Sequence, residues 1–128
     1  EKLAEKFQID RNSVDEFALR SQKNWKNAHD KSYFKEELTS VKLMIKKKEV
    51  EFDMDEHPRP ETTIEGLQKL QSLFKKNGVV TAGTASGISD GAGAVVLANS
   101  EALKLHGLKP LARVAAYSVV GVEPSIMG

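Results

Sequence analysis

The chain has 128 residues, 40% of them hydrophobic and 29% charged, which excludes a disordered tail and fits one domain or a part of a larger protein. A formal net charge of +1 is too balanced to point to nucleic acid, and no apolar run reaches the roughly 20 residues that span a bilayer. There is no cysteine, so disulfides, thiolate metal sites and a cysteine nucleophile are excluded within these residues.

In chain order, Glu1–Gln8 reads as the end of a helix with no capping residue before it, and no targeting segment. Asp10 is a candidate N-cap for a second helix. Val14, Phe17, Ala18, Ser21 and Trp25 recur at helical spacing and predict a buried stripe, with Asp15, Glu16, Arg20, Lys23 and Lys26 on the wet side. Trp25 reads as a packing residue before it reads as a ligand contact. Val41–Ile45 and Val50–Met54 are predicted strands joined by Lys46–Glu49. Lys42, Lys46, Lys47 and Lys48 give this hairpin a basic edge, which either keeps it soluble or attracts phosphorylated ligands.

Asp55-Glu56-His57-Pro58-Arg59-Pro60 is a charged loop held extended by its prolines. Thr62 and Glu65 fit a capping box for a helix carrying Ile64, Leu67, Leu70, Leu73 and Phe74 to about Lys75. Thr81–Ala94 is almost all small residues and runs into a predicted buried strand, Val95–Ala98. Ser100 is expected to cap a short helix that ends at His106 and Gly107. Leu111–Val122 is a further predicted strand. Helix, hairpin, loop and helix followed by strand, helix and strand is best read as a cap or insertion joined to an α/β core. The uncapped first helix and the Met127-Gly128 end lead to the expectation that both ends are cuts in a longer protein, a trimmed complete domain being the alternative.

Three features bear on chemistry. Glycine and alanine in 81–94 let a backbone approach a ligand or a strand closely, with Ser86 as a hydroxyl inside the run. No Gly-Lys-Ser/Thr closes the run, so it is not a nucleotide P-loop, and tight sheet packing is the plain alternative. Arg59, fixed between prolines with Thr62 near a helix start, can stack on a purine or pair with phosphate, or can simply be a solvated loop arginine. Asp55, Glu56 and His57 are consecutive and converge poorly on one ion, so no metal site is expected. His29 and His106 read as capping or surface residues, and no catalytic residue is assigned.

Asp55-Glu56-His57-Pro58-Arg59-Pro60-Glu61-Thr62-Thr63, then Val80-Thr81-Ala82-Gly83-Thr84-Ala85-Ser86-Gly87-Ile88-Ser89-Asp90-Gly91-Ala92-Gly93-Ala94, Pro110-Leu111-Ala112-Arg113 and Glu123-Pro124-Ser125-Ile126-Met127-Gly128 together resemble the thiolases over essentially the whole chain. Within that family the Asp-Glu-His and Arg-Pro segment is most similar to the mitochondrial 3-ketoacyl-CoA branch of animals. Thr84 departs from the pattern, standing where these enzymes usually carry Asn.

The resemblance implies an α/β thiolase fold fragment. Residues 1–88 would be most of the inserted loop domain that covers CoA. Residues 89–110 would be the last strand and helix of the N-terminal half, and 111–128 the first strand of the C-terminal half. Ala92–Ala98 and Ala112–Val120 would then belong to different halves rather than to one crossover. It implies an acyltransferase of fatty acid β-oxidation in the mitochondrion, cleaving 3-ketoacyl-CoA with CoA to acetyl-CoA and a shortened acyl-CoA. In that chemistry a cysteine thiolate activated by histidine attacks the keto carbon, a second cysteine moves the proton, and an oxyanion hole stabilises the enolate. Those groups would lie outside these residues, so the fragment alone is expected to be inactive. By position, Arg59 would contact the adenine and phosphate of CoA, Thr62 would be a polar contact, Ser86 would meet the pantetheine arm, and Phe74, Ala82 and Met127 would line the channel. CoA and acyl-CoA are the implied substrates, with no permanently bound cofactor. The implied assembly is a homo-oligomer, dimer or tetramer. Competing readings are a non-thiolytic relative, such as an acyl-CoA hydrolase or a lipid-carrier thiolase domain, and an interaction module using the lysine hairpin. The small-residue run argues against the last.

Overall fold

A computed structural model describes residues 1–127 and divides them into two units, Glu1–Gly87 and a second from Ile88 onward. In the first unit, α1 (Lys2–Phe7) stops at Gln8, which takes a left-handed conformation at φ 54° and turns the chain into α2 (Arg11–Asp30). Asp10 caps α2 as expected, its carboxylate accepting the Ser13 N–H at 2.7 Å. Lys26 and Asp30 add an exposed pair one helical turn apart.

The faces of α2 differ from the predicted ones at two positions. Asp15, expected on the wet side, is fully buried, whereas Phe17, expected in the stripe, is 63% exposed. Asp15 is drawn inward because Arg11 supplies both a countercharge and a bridge to the chain that follows the next helix. Phe17 stays accessible and carries the Arg20 guanidinium over its ring at 5.0 Å. Trp25 is half-buried and stacks on His29, ring centroids 4.9 Å apart, which gives both residues a packing role.

β1 (Val41–Ile45) and β2 (Lys48–Phe52) form an antiparallel pair in which Val41 faces Phe52, Leu43 faces Val50 and Ile45 faces Lys48. The connection is therefore Lys46-Lys47 alone, not Lys46–Glu49, and the second strand starts two residues before the predicted Val50. Both turn lysines are left-handed, at φ 49° and 64°, the geometry that lets a two-residue turn match strand twist.

α3 (Ile64–Gln68) is capped by Thr63, whose hydroxyl accepts the Gly66 N–H at 3.1 Å, so the capping box predicted on Thr62 and Glu65 does not form. Nor does the helix reach Lys75. It closes with Leu70 N–H on Leu67 O, and the chain then pairs back on itself through a Ser72–Thr81 bridge and Leu73 N–H on Val80 O at 2.9 Å. Antiparallel hydrogen bonds to the small-residue segment thus replace the last two turns of the expected helix. Leu67, 4% exposed, is the apolar centre of this unit, with Asp15 and Thr81 fully buried.

In the second unit, α4 (Ser100–Leu105) is capped by Asn99, one residue before the predicted Ser100, its side chain accepting the Ala102 N–H. His106 closes α4, and Gly107 follows at φ +60°, where a Cβ is disfavoured. A 3-10 turn, η1, spans Pro124–Ile126. The segments predicted as strands, Val95–Ala98 and Leu111–Val122, have no ladder partner among the described residues, and Val96 and Val119 are 92% and 93% exposed. A strand is defined by its neighbour, and sequence periodicity supplies only half of that pair.

Candidate functional site

A cleft of about 420 Å³ opens in the first unit between α2, the 55–63 loop with α3, and the 81–87 segment. Each wall is fixed by identifiable bonds. Arg11 Nε pairs with both Asp15 carboxylate oxygens at 3.0 and 2.9 Å, while Nη2 donates to Leu67 O at 2.8 Å and Leu70 O at 3.0 Å. α2 is thereby tied to the C-terminal end of α3, where carbonyls would otherwise lack partners.

The Arg59 loop is tied at three points. Its backbone N–H donates to Gln22 Oε1 on α2 at 2.8 Å, and its carbonyl accepts both the Thr62 N–H at 3.0 Å and the Thr62 hydroxyl at 2.6 Å. Arg59 Nη1 turns into a cup of carbonyls from Glu56, His57 and Pro58 at 2.5, 3.0 and 3.1 Å. Nε and Nη2 make no hydrogen bond among the described residues, so one edge of a pre-positioned guanidinium is left for an anion or an aromatic plane.

On the third wall, Thr84 Oγ1 accepts the Thr81 N–H at 2.8 Å and donates to Val79 O at 3.1 Å, and Thr81 Oγ1 accepts the Gly83 N–H at 3.2 Å. The departure from Asn therefore leaves a working latch. Gly83 lies so close to the Leu67 and Leu70 side chains that a Cβ there would overlap them, which explains glycine at this position. Behind it the Glu1 carboxylate accepts the Val80 N–H at 2.9 Å and the Val79 N–H at 3.1 Å. Those bonds, Val80 first, hold its carboxyl below the usual value of 4.5.

Arg59, Thr62, Ala82 and Ser86 all line this one cleft. Thr62 spends its hydroxyl on Arg59 O, whereas the Ser86 hydroxyl is exposed and makes no hydrogen bond among the described residues. Phe74 is 78% exposed and outside the cleft lining, and Met127 lies in the second unit, 77% exposed. His57 and Arg59 are the ionisable residues of the lining, which contains no Asp or Glu. Val14 and Ala18 supply an apolar side. Such a surface suits an anionic ligand with an apolar stretch. Sequence reasoning missed Gln22 as a lining residue, although it falls on the face of α2 shared with Val14 and Ala18. It also weighed His57 only as a metal ligand. Among the described residues no three His, Asp or Glu side chains gather for a metal ion.

The sequence model described as Thiolase, N-terminal domain, matches residues 1–101. The chain belongs to the thiolase family. It is 52% identical over all 128 residues to the mitochondrial 3-ketoacyl-CoA thiolase of Mus musculus, of which it covers 32%. The crystal structure of human mitochondrial 3-ketoacyl-CoA thiolase matches 98% of the chain at 50% identity with a TM-score of 0.85, again across 32% of that structure. A second human crystal structure, in complex with CoA, matches 86% of the chain at 49% identity with a TM-score of 0.71, across 27% of that structure. The chain thus has the thiolase fold and spans about a third of the length of the thiolases it resembles.

Proposed function

We propose that this chain is the CoA-holding part of a mitochondrial 3-ketoacyl-CoA thiolase, an acyltransferase of fatty acid β-oxidation that releases acetyl-CoA and a shortened acyl-CoA. The observation that carries the reading is the acid-free cleft whose lining brings together Arg59, with Nε and Nη2 unbonded among the described residues, and the exposed Ser86. Arg59 takes phosphate and adenine. Ser86 takes the pantetheine arm, for which the small Ala82 side chain in the same lining leaves room. Thr62 acts mainly by bonding the Arg59 carbonyl and setting the loop. In this reading residues 1–88 are most of the CoA-covering loop domain, 89–110 end the first half and 111–128 open the second. With no cysteine in the chain, the nucleophile comes from elsewhere in the assembled enzyme, a homo-oligomer.

The test is thiolysis of a 3-ketoacyl-CoA by the full-length protein with CoA as the varied substrate. CoA-dependent formation of acetyl-CoA, with a KM for CoA raised by Arg59→Ala, supports the reading. Release of free acid without any dependence on CoA would assign the protein to a hydrolytic relative instead.

A further inference from the structure

We propose that His57 is a second anion contact in the cleft, binding the pyrophosphate of CoA and making affinity for it depend on pH. The inference rests on the assignment of the cleft to CoA and adds a residue and a linkage to it.

His57 lines the same cleft as Arg59 and Ser86. Its ring packs on the backbone of Gly87, since a Cβ at that glycine would stand 2.6 Å from Cε1 and 2.9 Å from Nδ1. The ring is therefore placed beside the residue that follows Ser86, while its own backbone carbonyl accepts from Arg59 Nη1. The imidazole is exposed, and neither ring nitrogen makes a hydrogen bond among the described residues. A ligand that puts its adenine and 3′-phosphate at Arg59 and its pantetheine arm at Ser86 passes its pyrophosphate between them, in the cleft that His57 also lines. A protonated imidazole there donates to a pyrophosphate oxygen. A neutral one offers a weaker bond from one nitrogen only.

The surroundings determine which charges compete. The 81–87 segment against the ring has no titratable side chain, and the α2 residues that line the cleft have none either. The titratable neighbours belong to the loop itself: Asp55 and Glu56 precede the ring, and Arg59 and Glu61 follow it. Of these four, Arg59 alone also lines the cleft, so no carboxylate of the lining competes with the ligand for His57. Imidazole is the side chain whose charge changes between about pH 5 and 8.

The experiment measures equilibrium binding of 3′-dephospho-CoA to the full-length protein at about pH 6 and pH 8, across the range in which imidazole titrates. This probe keeps the pyrophosphate and lacks the phosphate monoester, which would itself titrate in that window. The wild type is expected to bind about tenfold more tightly at the lower pH, as a charge-assisted bond replaces a neutral one. His57→Gln should remove most of that pH dependence. Gly87→Ala, which displaces the ring and leaves the residue in place, should weaken it. Arg59→Gln should lower affinity for the probe at both pH values through its adenine contact, lower that for CoA further through the 3′-phosphate, and preserve the pH dependence of probe binding. Equal pH dependence in wild type and His57→Gln, with Arg59→Gln still weakened, overturns the role of His57 and leaves the cleft assignment standing. No binding of the probe or of CoA by the wild type overturns both.

Discussion

Arg11 and Asp15 form a buried clamp in which one guanidinium neutralises a fully buried carboxylate and also holds the Leu67 and Leu70 carbonyls at the end of α3. Replacing Asp15 by Ala leaves Arg11 beside those carbonyls without its countercharge. Breaking a buried pair from one side is expected to lower stability by roughly 3 kcal/mol, the low end of the usual range, because Arg11 keeps 24% of its side chain in contact with water. Chemical denaturation of Asp15→Ala and of Arg11→Met with Asp15→Leu checks this. The paired apolar replacement should recover much of the loss.

On the proposed reading, Arg59 and Ser86 act in CoA binding and not in chemistry. Losing a charge-assisted contact is worth about 1.5–3 kcal/mol and a neutral one about 0.5–1.5 kcal/mol. Arg59→Ala should therefore raise the KM for CoA more than Ser86→Ala does, with a smaller effect on kcat in both. The arginine effect should shrink in high salt, since Arg59 is exposed. Steady-state kinetics of the two variants at low and high ionic strength decides it, and a loss of kcat at unchanged KM would count against the binding role.

The Thr84 latch is accessible to one substitution. Thr84→Val keeps the shape and removes the hydroxyl, leaving the Thr81 N–H and Val79 O without this partner. An orphaned donor in a part-buried site is expected to destabilise by about 1–3 kcal/mol. Faster amide exchange at Thr81 and weaker CoA binding should follow together. Unchanged exchange at Thr81 would show that the latch does not hold the segment.

The caps predict acid sensitivity. The Ser13 N–H, the largest influence, holds the Asp10 carboxyl below its usual 3.8, and the Val80 N–H does the same for Glu1. Because each folded value lies below the unfolded one, both stabilise the fold above the unfolded value and stop doing so as pH falls through the folded value. Asp10→Asn keeps a capping oxygen without a titrating charge. Thermal unfolding of this variant should depend less on pH below about 4 than that of the wild type.

Much of the local structure was legible in the sequence. Asp10 before α2, Gly107 after α4 and the alternating apolar residues of the hairpin each carry their own local signal. Pair-dependent features were not legible. The hairpin register depends on Lys46 and Lys47 accepting left-handed geometry, which favours Asn and Gly in most turns. The Leu70–Lys75 stretch has helical periodicity yet gives way to hydrogen bonds with a segment nearly ten residues on. Asp15 looks like a surface acid until Arg11 and two distant carbonyls are brought to it. At the site, Arg59 and Ser86 were marked by proline context and by the small-residue run. Gln22 became visible only when α2 met the Arg59 loop.

Amide hydrogen exchange with and without CoA is the decisive measurement. Saturating CoA is expected to slow exchange in two stretches of the first unit, around His57–Thr63 and around Ala82–Gly87, and to leave the hairpin Val41–Phe52 unchanged. Protection confined to the lysine turn of that hairpin, with none at Arg59 or Ser86, would contradict the assignment of the cleft to CoA.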